Sequence, residues 1–171
     1  MSQEPLTLYK LIILYMLDRV NFPLTSAQVG NFILEKEYTN FLTLQQAISE
    51  LTDAALISTQ TIGNRTHLII TSEGLNTLSF FENRISDTIK REINSFFKEN
   101  EMELRNEVSI LADYYKSTTG EYDAHLIAKE KNIKLVDITL SVPTEESAAV
   151  ICDNWQRKNQ EIYQFLIEQL F

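Results

Sequence analysis

The chain has 171 residues, 44% of them hydrophobic, which is enough to build one globular core or two small ones. Its formal charge of −9 argues against a nucleic-acid binder, because such proteins usually present a basic face to the phosphates, although the potential of the contact face counts for more than the net charge. The sequence contains no apolar run of membrane-spanning length, no basic signal segment at its start and only one cysteine, Cys152, so a cytoplasmic protein without an internal disulfide is expected.

Two amphipathic helices are predicted near the start of the chain. Thr7 is the expected N-cap of a first helix over residues 8–20, whose apolar positions suit burial on most sides. Thr25 and Gln28 have the spacing of a capping box, in which each side chain bonds the backbone of the other residue. They predict a second helix that ends near residue 36 and turns an apolar stripe towards the core.

A third helix is predicted from Thr43 to Ala55, opened by a second capping box between Thr43 and Gln46. Apolar side chains recur at helical spacing on one of its faces, and the opposite face is polar. The helix is therefore expected to rest on the core and to expose its polar face.

A β-hairpin is predicted directly after the third helix. Residues 57–62 and 66–71 alternate between apolar and polar side chains, as half-buried strands do. Gly63-Asn64 lies between them, and glycine at the first of two turn positions predicts a type II′ turn.

The apolar residues between positions 75 and 104 recur every three or four residues. This spacing predicts either one long helix or two helices with a break near Ile85-Ser86. In both cases the segment would connect the two halves of the chain and take part in dimer formation.

Beyond this segment the apolar period changes to two, which predicts three antiparallel strands. The alternating runs begin at Val108, Tyr122 and Val136, and the turns between them are expected at residues 117–121 and at Lys131-Asn132.

A final helix is predicted to begin at Glu145, with Thr144 as its N-cap. One helix on a three-stranded sheet makes a small α+β unit. The predicted fold class is therefore α+β. The expected domains are an N-terminal domain over residues 1–80, a connecting helix over 81–107, and a small regulatory or dimerisation domain over 108–171.

Residues 7–80 resemble the winged helix-turn-helix domain of many bacterial transcriptional regulators of the PadR and MarR type. The resemblance lies in Phe41 to Leu51, in Ala55-Leu56-Ile57 and in Leu68 to Gly74, which is similar to the Leu-Thr-x-x-Gly close of the wing in those regulators. The whole chain also resembles a family of small bacterial proteins, grouped with transcriptional regulators, in which a short α+β region follows this module.

The resemblance implies that the third helix enters the major groove of DNA and that the hairpin wing contacts the backbone. Glutamine amides can pair with adenine and hydroxyl groups with several bases, so such a helix can read sequence without a cation. The implied contact residues are Thr43, Gln45, Gln46, Ser49, Asn64, Arg65 and Thr66. Glu50 and Asp53 depart from the pattern, because no Lys or Arg in that helix offsets their charge.

A homodimer is expected, because one module makes few contacts whereas two can read half-sites about one helical turn apart. The expected dimer surfaces are the long helix from Leu75 and the apolar end of the last helix. The residues at that end are Tyr163, Phe165, Leu166, Leu170 and Phe171.

Two alternatives remain open. The main one is a winged helix that binds protein instead of DNA, which the acidity favours, and the other is a sensor whose C-terminal domain binds a small-molecule effector. A positive patch would favour DNA, an apolar patch on the third helix would favour protein, and an enclosed cavity would favour a ligand. The patch would comprise Lys10, Arg19, Lys36 and Arg65, and the cavity would be lined by Tyr114, Leu126 and Trp155.

The sequence lacks patterns typical of catalysis and of metal binding. It contains no P-loop, dinucleotide fingerprint or nucleophile elbow, and neither His67 nor His125 has a further ligand at metal-binding spacing. An enzyme, a cofactor, a metal site and a membrane partner are therefore not expected.

Overall fold

The computed structural model of the protein describes residues 4–62, 64–130 and 133–171. Over these residues the fold is mixed α+β, with six α-helices and two three-stranded antiparallel sheets. The elements follow in the order α1 (Glu4–Asp18), β1 (Leu24–Thr25), α2 (Ser26–Glu35), α3 (Phe41–Asp53), β2 (Ile57–Ile62), β3 (Arg65–Ile70), α4 (Ser72–Phe81), a 3₁₀-helix (Glu82–Arg84), α5 (Asp87–Ser109), β4 (Ile110–Lys116), β5 (Tyr122–Glu130), β6 (Ile133–Val142) and α6 (Glu145–Leu170).

The chain divides into two compact units, Met1–Arg105 and Asn106–Phe171, and the division falls within α5. Among the described residues, no helix combines the length and the apolar composition that crossing a membrane requires.

Helix α1 forms the centre of the N-terminal unit. Every residue from Leu11 to Leu17 is buried, which agrees with the predicted burial on most sides. The predicted start is wrong, because α1 begins at Glu4 and Thr7 lies inside it. Pro5 is compatible with this earlier start, since the first turn of a helix needs no N–H donor from that residue.

The capping box of α2 is confirmed. The Thr25 hydroxyl accepts a hydrogen bond from the Gln28 backbone N–H at 3.0 Å, and the Gln28 side-chain oxygen accepts one from the Thr25 backbone N–H at 2.9 Å. Residues Leu24 and Thr25 also form β1, which pairs with Leu68 and His67 of β3. This short strand was not predicted, because two residues show no periodicity.

The predicted N-cap of α3 is wrong. Asn40 is the cap, and its side-chain oxygen accepts a hydrogen bond from the Thr43 backbone N–H at 2.9 Å. Asparagine caps helices at least as well as threonine. The cap therefore lies three residues before the predicted one, and the helix begins at Phe41. It also ends earlier than predicted, at Asp53, and Ala55 adopts a left-handed backbone conformation with φ 58°.

The hairpin pairs β2 with β3 from Ile57 opposite Ile70 to Ile62 opposite Arg65. The predicted turn includes Gly63, which lies outside the described residues. Asn64 has a φ of 64°, whereas a type II′ turn has a negative φ at its second position, so the predicted turn type is wrong.

Between positions 72 and 109 the chain forms two α-helices, the first extended by the 3₁₀-helix, which confirms the alternative with a break near Ile85-Ser86. Thr71 ends the hairpin and caps α4, accepting a hydrogen bond from the Gly74 backbone N–H at 3.0 Å. Helix α5 continues to Ser109, so Val108, predicted to begin a strand, instead lies buried in the helix.

The C-terminal unit is the predicted three-stranded sheet, in the order β4-β5-β6, with α6 packed on one face. Trp155 of α6 is 1% exposed and donates its indole N–H to the Ile127 carbonyl at 3.1 Å. Thr144 caps α6 as predicted. The turn over residues 117–121 is also confirmed, while Lys131-Asn132 lies outside the described residues.

Candidate nucleic-acid interface

The exposed face of α3 carries the polar residues that were predicted to read bases. Gln45, Gln46 and Ser49 are exposed, and Thr43 is half-buried. The opposite face holds the helix on the core, since Leu44, Ala47, Ile48 and Leu51 are all buried. Helical spacing therefore gathers the four polar side chains on one stretch of surface without disturbing the packing below it.

Two large apolar side chains extend this face at the start of α3. Phe41 is 59% exposed and Leu42 is 79% exposed. The predicted cap at Thr43 places both residues outside the helix. The cap preference of Asn40 was the signal in the sequence that could have placed them on the first turn.

The hairpin tip carries the second group of predicted contact residues. Asn64 and Arg65 are exposed, and Thr66 is half-buried within β3 opposite Thr61. Within the part of the chain that the structure describes, Arg65 forms no ion pair. Its guanidinium is therefore available to an anion outside the chain.

The carboxylate of Glu50 is offset by a cation from another helix. Lys10 of α1 donates a hydrogen bond to it at 3.1 Å. This contact, together with the nearby Gln46 amide, lowers the pKa of Glu50. The sequence could not show this pairing, because the two residues are 40 positions apart. Asp53 is exposed and has no ion-pair partner among the described residues.

Two of the four cations in the predicted positive patch are already paired with carboxylates of the same chain. Lys10 is paired with Glu50, and Arg19 is paired with Asp18 and, at 3.7 Å, with Glu82. In the described residues, Lys36 and Arg65 are the two members of the patch without an ion pair. The electrostatic attraction that this unit can offer to DNA is therefore modest and local.

A cleft of about 480 Å³ lies beside the polar face of α3. Polar side chains from α1, α3 and the segment before α3 line it, among them Lys10, Asn40, Thr43, Gln46 and Glu50. Pro5 and Leu6 line it as well, so the cleft joins the start of α1 and the first half of α3 in a surface of mixed polarity.

The described residues offer no group of three or more His, Cys, Asp or Glu side chains that could hold a metal ion. The His125 ring lies 2.6 Å from Asp137 in the neighbouring strand, a structural contact within the sheet. Burial, more than the nearby carboxylates of Asp113 and Asp153, raises the pKa of the Cys152 thiol, so its reactive thiolate is scarce at neutral pH.

Tyr114, Leu126 and Trp155, which were predicted to line a ligand cavity, do not enclose an open space together. Leu126 and Trp155 are buried in the core of the C-terminal unit, together with Ala128 and Val136. Tyr114 is half-buried at the margin of the same sheet.

A family model described as a domain of unknown function, DUF4364, matches residues 9–170. The chain belongs to the DUF4364 family. The DUF4364 match includes the surface of α3, the hairpin and the C-terminal sheet, and its description assigns them no activity. Comparisons with curated proteins and with solved structures gave no significant match.

Proposed function

We propose that this DUF4364 protein is a DNA-binding transcriptional regulator whose N-terminal unit is a winged helix-turn-helix module. In this proposal α2 and α3 are the helix-turn-helix, α3 is the recognition helix, and the β2–β3 hairpin is the wing. The observation that carries the proposal is the row of exposed amide and hydroxyl side chains on α3, namely Gln45, Gln46 and Ser49, on a helix anchored by its other face.

The chemistry of this row suits bases more than phosphates. Glutamine can form two hydrogen bonds with adenine in the major groove, and serine can bond to several bases. Arg65 and Asn64 at the hairpin tip would contact the backbone or the minor groove. With only a few cations in reach, we expect binding to depend on base contacts and to show a shallow salt dependence.

The ion pair between Lys10 and Glu50 supports the same reading. An unpaired carboxylate on a recognition helix would repel the phosphates, and Lys10 offsets this charge at 3.1 Å. Asp53 remains the main unfavourable charge of α3 in the proposed complex.

The second candidate function is a winged helix that binds another protein. Phe41 and Leu42 favour it, because large apolar side chains exposed together on one helical turn are typical of protein interfaces. DNA offers them only thymine methyl groups and sugars as apolar contacts.

The proposal includes a homodimer, so that two copies of α3 read two half-sites. Apolar side chains exposed on α4 and at the end of α6 support association with another chain. They are Leu75, Phe80 and Phe81 on α4, and Phe165, Leu170 and Phe171 at the end of the chain.

Fluorescence anisotropy with a pool of DNA fragments, at low and at physiological salt, tests the proposal. We expect selective binding by the wild type and its loss in Gln45→Ala plus Gln46→Ala, about 1–3 kcal/mol for each amide pairing removed. Arg65→Ala should weaken binding to all fragments alike and make the salt slope shallower.

Gln160→Ala plus Gln164→Ala is the matched control, since both glutamines are exposed on α6, outside the proposed interface. This variant should bind as the wild type does. Equal loss in the two double variants would contradict a specific role for α3. If no fragment binds at low salt, and Phe41→Ser plus Leu42→Ser abolishes capture of a protein partner, the second candidate replaces the first.

A further inference from the structure

Strand β6 leaves one of its edges open. It is an edge strand of the sheet β4-β5-β6, and within the described residues no strand pairs with its outer side. It is also the most exposed of the three strands, and Val136 is its single buried residue. The backbone N–H and C=O groups on this outer edge are consequently available to another strand.

The open edge has defined ends. The pairing register with β5 shifts between Ala128 and Lys129, which leaves Leu135 as an extra residue in β6, and Pro143 follows the strand. Bulges and prolines are devices that stop strands from pairing further. Between them lies a regular segment of seven residues, Val136 to Val142.

Within this segment little opposes pairing. Asp137 is its one charged residue, and Lys134 at 3.0 Å and His125 at 2.6 Å engage its carboxylate within the same chain. Natural edge strands usually place lysine or proline in their centres when pairing must be avoided. The central residues here are Ile138, Thr139 and Leu140.

The face of β6 that meets α6 is only partly covered. Ile138 is half-buried and Leu140 is 44% exposed, because α6 packs mainly on β4 and β5. A strand added at this edge would place further side chains beside Ile138 and Leu140 and cover apolar surface that α6 leaves exposed.

We infer that this edge binds the same edge of a second copy, so that two β6 strands pair antiparallel and join the sheets into one of six strands. A pairing centred on Thr139 uses all seven residues. It sets Ile138 opposite Leu140, Val136 opposite Val142, and Asp137 opposite Ser141.

Self-pairing suits this strand because apolar side chains then face apolar side chains and polar ones face polar ones. It also brings no two like charges opposite each other. Strands related by a twofold axis satisfy each other's backbone groups in the way that a closed dimer requires. This inference rests on the homodimer of the proposed function and not on its DNA binding. It assigns the main contact to β6 instead of to the exposed helix ends.

The position of Thr139 on the twofold axis gives a specific test. A charge introduced there faces its own copy, so Thr139→Asp and Thr139→Lys should each weaken dimerisation, by about tenfold or more for the aspartate variant. An equimolar mixture of the two variants should restore a dimer, which would be a heterodimer, because opposite charges then face each other. Sedimentation velocity measures all three samples, and circular dichroism checks that each variant is folded.

Two variants serve as controls. Thr118→Asp places the same charge in an exposed turn and should leave the dimer intact. Phe165→Ser tests the competing contact at the end of α6, and the dimer should survive it because β6 forms the main contact. Hydrogen exchange at the amides of residues 136–142 should slow as the wild type is concentrated into the dimer.

Each contrary result has a distinct meaning. A wild type that stays monomeric overturns both the homodimer and this inference, leaving the edge to a peptide of another protein, while DNA binding is judged separately by anisotropy. A wild-type dimer that tolerates both Thr139 variants, or is lost in Phe165→Ser, overturns the β6 contact alone. Weakened variants that fail to recombine overturn the pairing centred on Thr139.

Discussion

The side-chain oxygen of Asn40 holds the first turn of α3 through its hydrogen bond with the Thr43 backbone N–H. Asn40→Ala removes this bond, and we expect the free energy of unfolding to fall by about 1 kcal/mol. Thr43→Ala leaves the donor N–H in place and should cost less than about 0.5 kcal/mol. Urea denaturation of both variants measures the difference, and an equal loss for the two would contradict Asn40 as the cap.

The ion pair between Lys10 and Glu50 predicts a dependence of stability on pH. Because Lys10 lowers the pKa of Glu50 in the folded state, the pair stabilises the fold above the unfolded value of 4.5 and ceases to do so as pH falls through the lower folded value. Lys10→Met should therefore be less stable than the wild type near neutral pH, and the gap should close below pH 4.5. Thermal unfolding across this range tests it. A gap that persists at low pH would assign the effect of Lys10 to packing.

At the scale of elements, the hairpin and α4 are packed tightly at the junction that joins them. The Thr71 hydroxyl lies 2.7 Å from the Ala55 carbonyl oxygen and 2.9 Å from the Leu56 carbonyl oxygen, so that its one proton is shared between them. The same hydroxyl oxygen caps α4 by accepting a hydrogen bond from the Gly74 backbone N–H. A Cβ atom at Gly74 would lie 2.1 Å from the Leu56 carbonyl oxygen and 2.8 Å from Cγ1 of Ile70. Residue 74 must therefore be glycine, because the Leu56 carbonyl lies too close to α4 for any side chain at this position.

Gly74→Ala should destabilise the protein by about 3 kcal/mol, since a backbone oxygen cannot move aside as a side chain can. Gly30→Ala is the matched control in α2, where the added Cβ would meet the flexible end of Leu44 at 3.3 Å. The gain in helix propensity offsets that contact, so its effect should stay within about 1 kcal/mol. Equilibrium unfolding measures the loss of stability in both variants. Similar losses would show that the junction tolerates a methyl group at position 74.

The elements that sequence reasoning predicted correctly are those with a repeated pattern or a local signal. The capping box at Thr25, the cap at Thr144 and the three alternating strands needed information from only a few neighbouring residues. The predicted starts of α1 and α3 were wrong because each was placed at a threonine, whereas α1 begins at Glu4 and α3 is capped by Asn40, three residues before Thr43.

The candidate site was predictable in part for the same reason. The face with Gln45, Gln46 and Ser49 follows from helical spacing alone. The pairing of Lys10 with Glu50 depends on how α1 and α3 meet, which local sequence does not encode.

At the scale of the whole molecule, the net charge of −9 limits how this protein could engage DNA. Long-range attraction would be weak, so affinity would have to come from base contacts made by both copies of a dimer. A protein of this kind would discriminate strongly between sequences while binding bulk DNA poorly.

Selection from a random DNA pool, with sequencing of the bound fraction, tests this account most directly. We predict that the wild type enriches two related half-sites about 10 base pairs apart, and that Gln45→Ala plus Gln46→Ala loses the enriched bases. An unenriched pool, or the same motif recovered by the wild type and the double variant, would contradict α3 as the reading element.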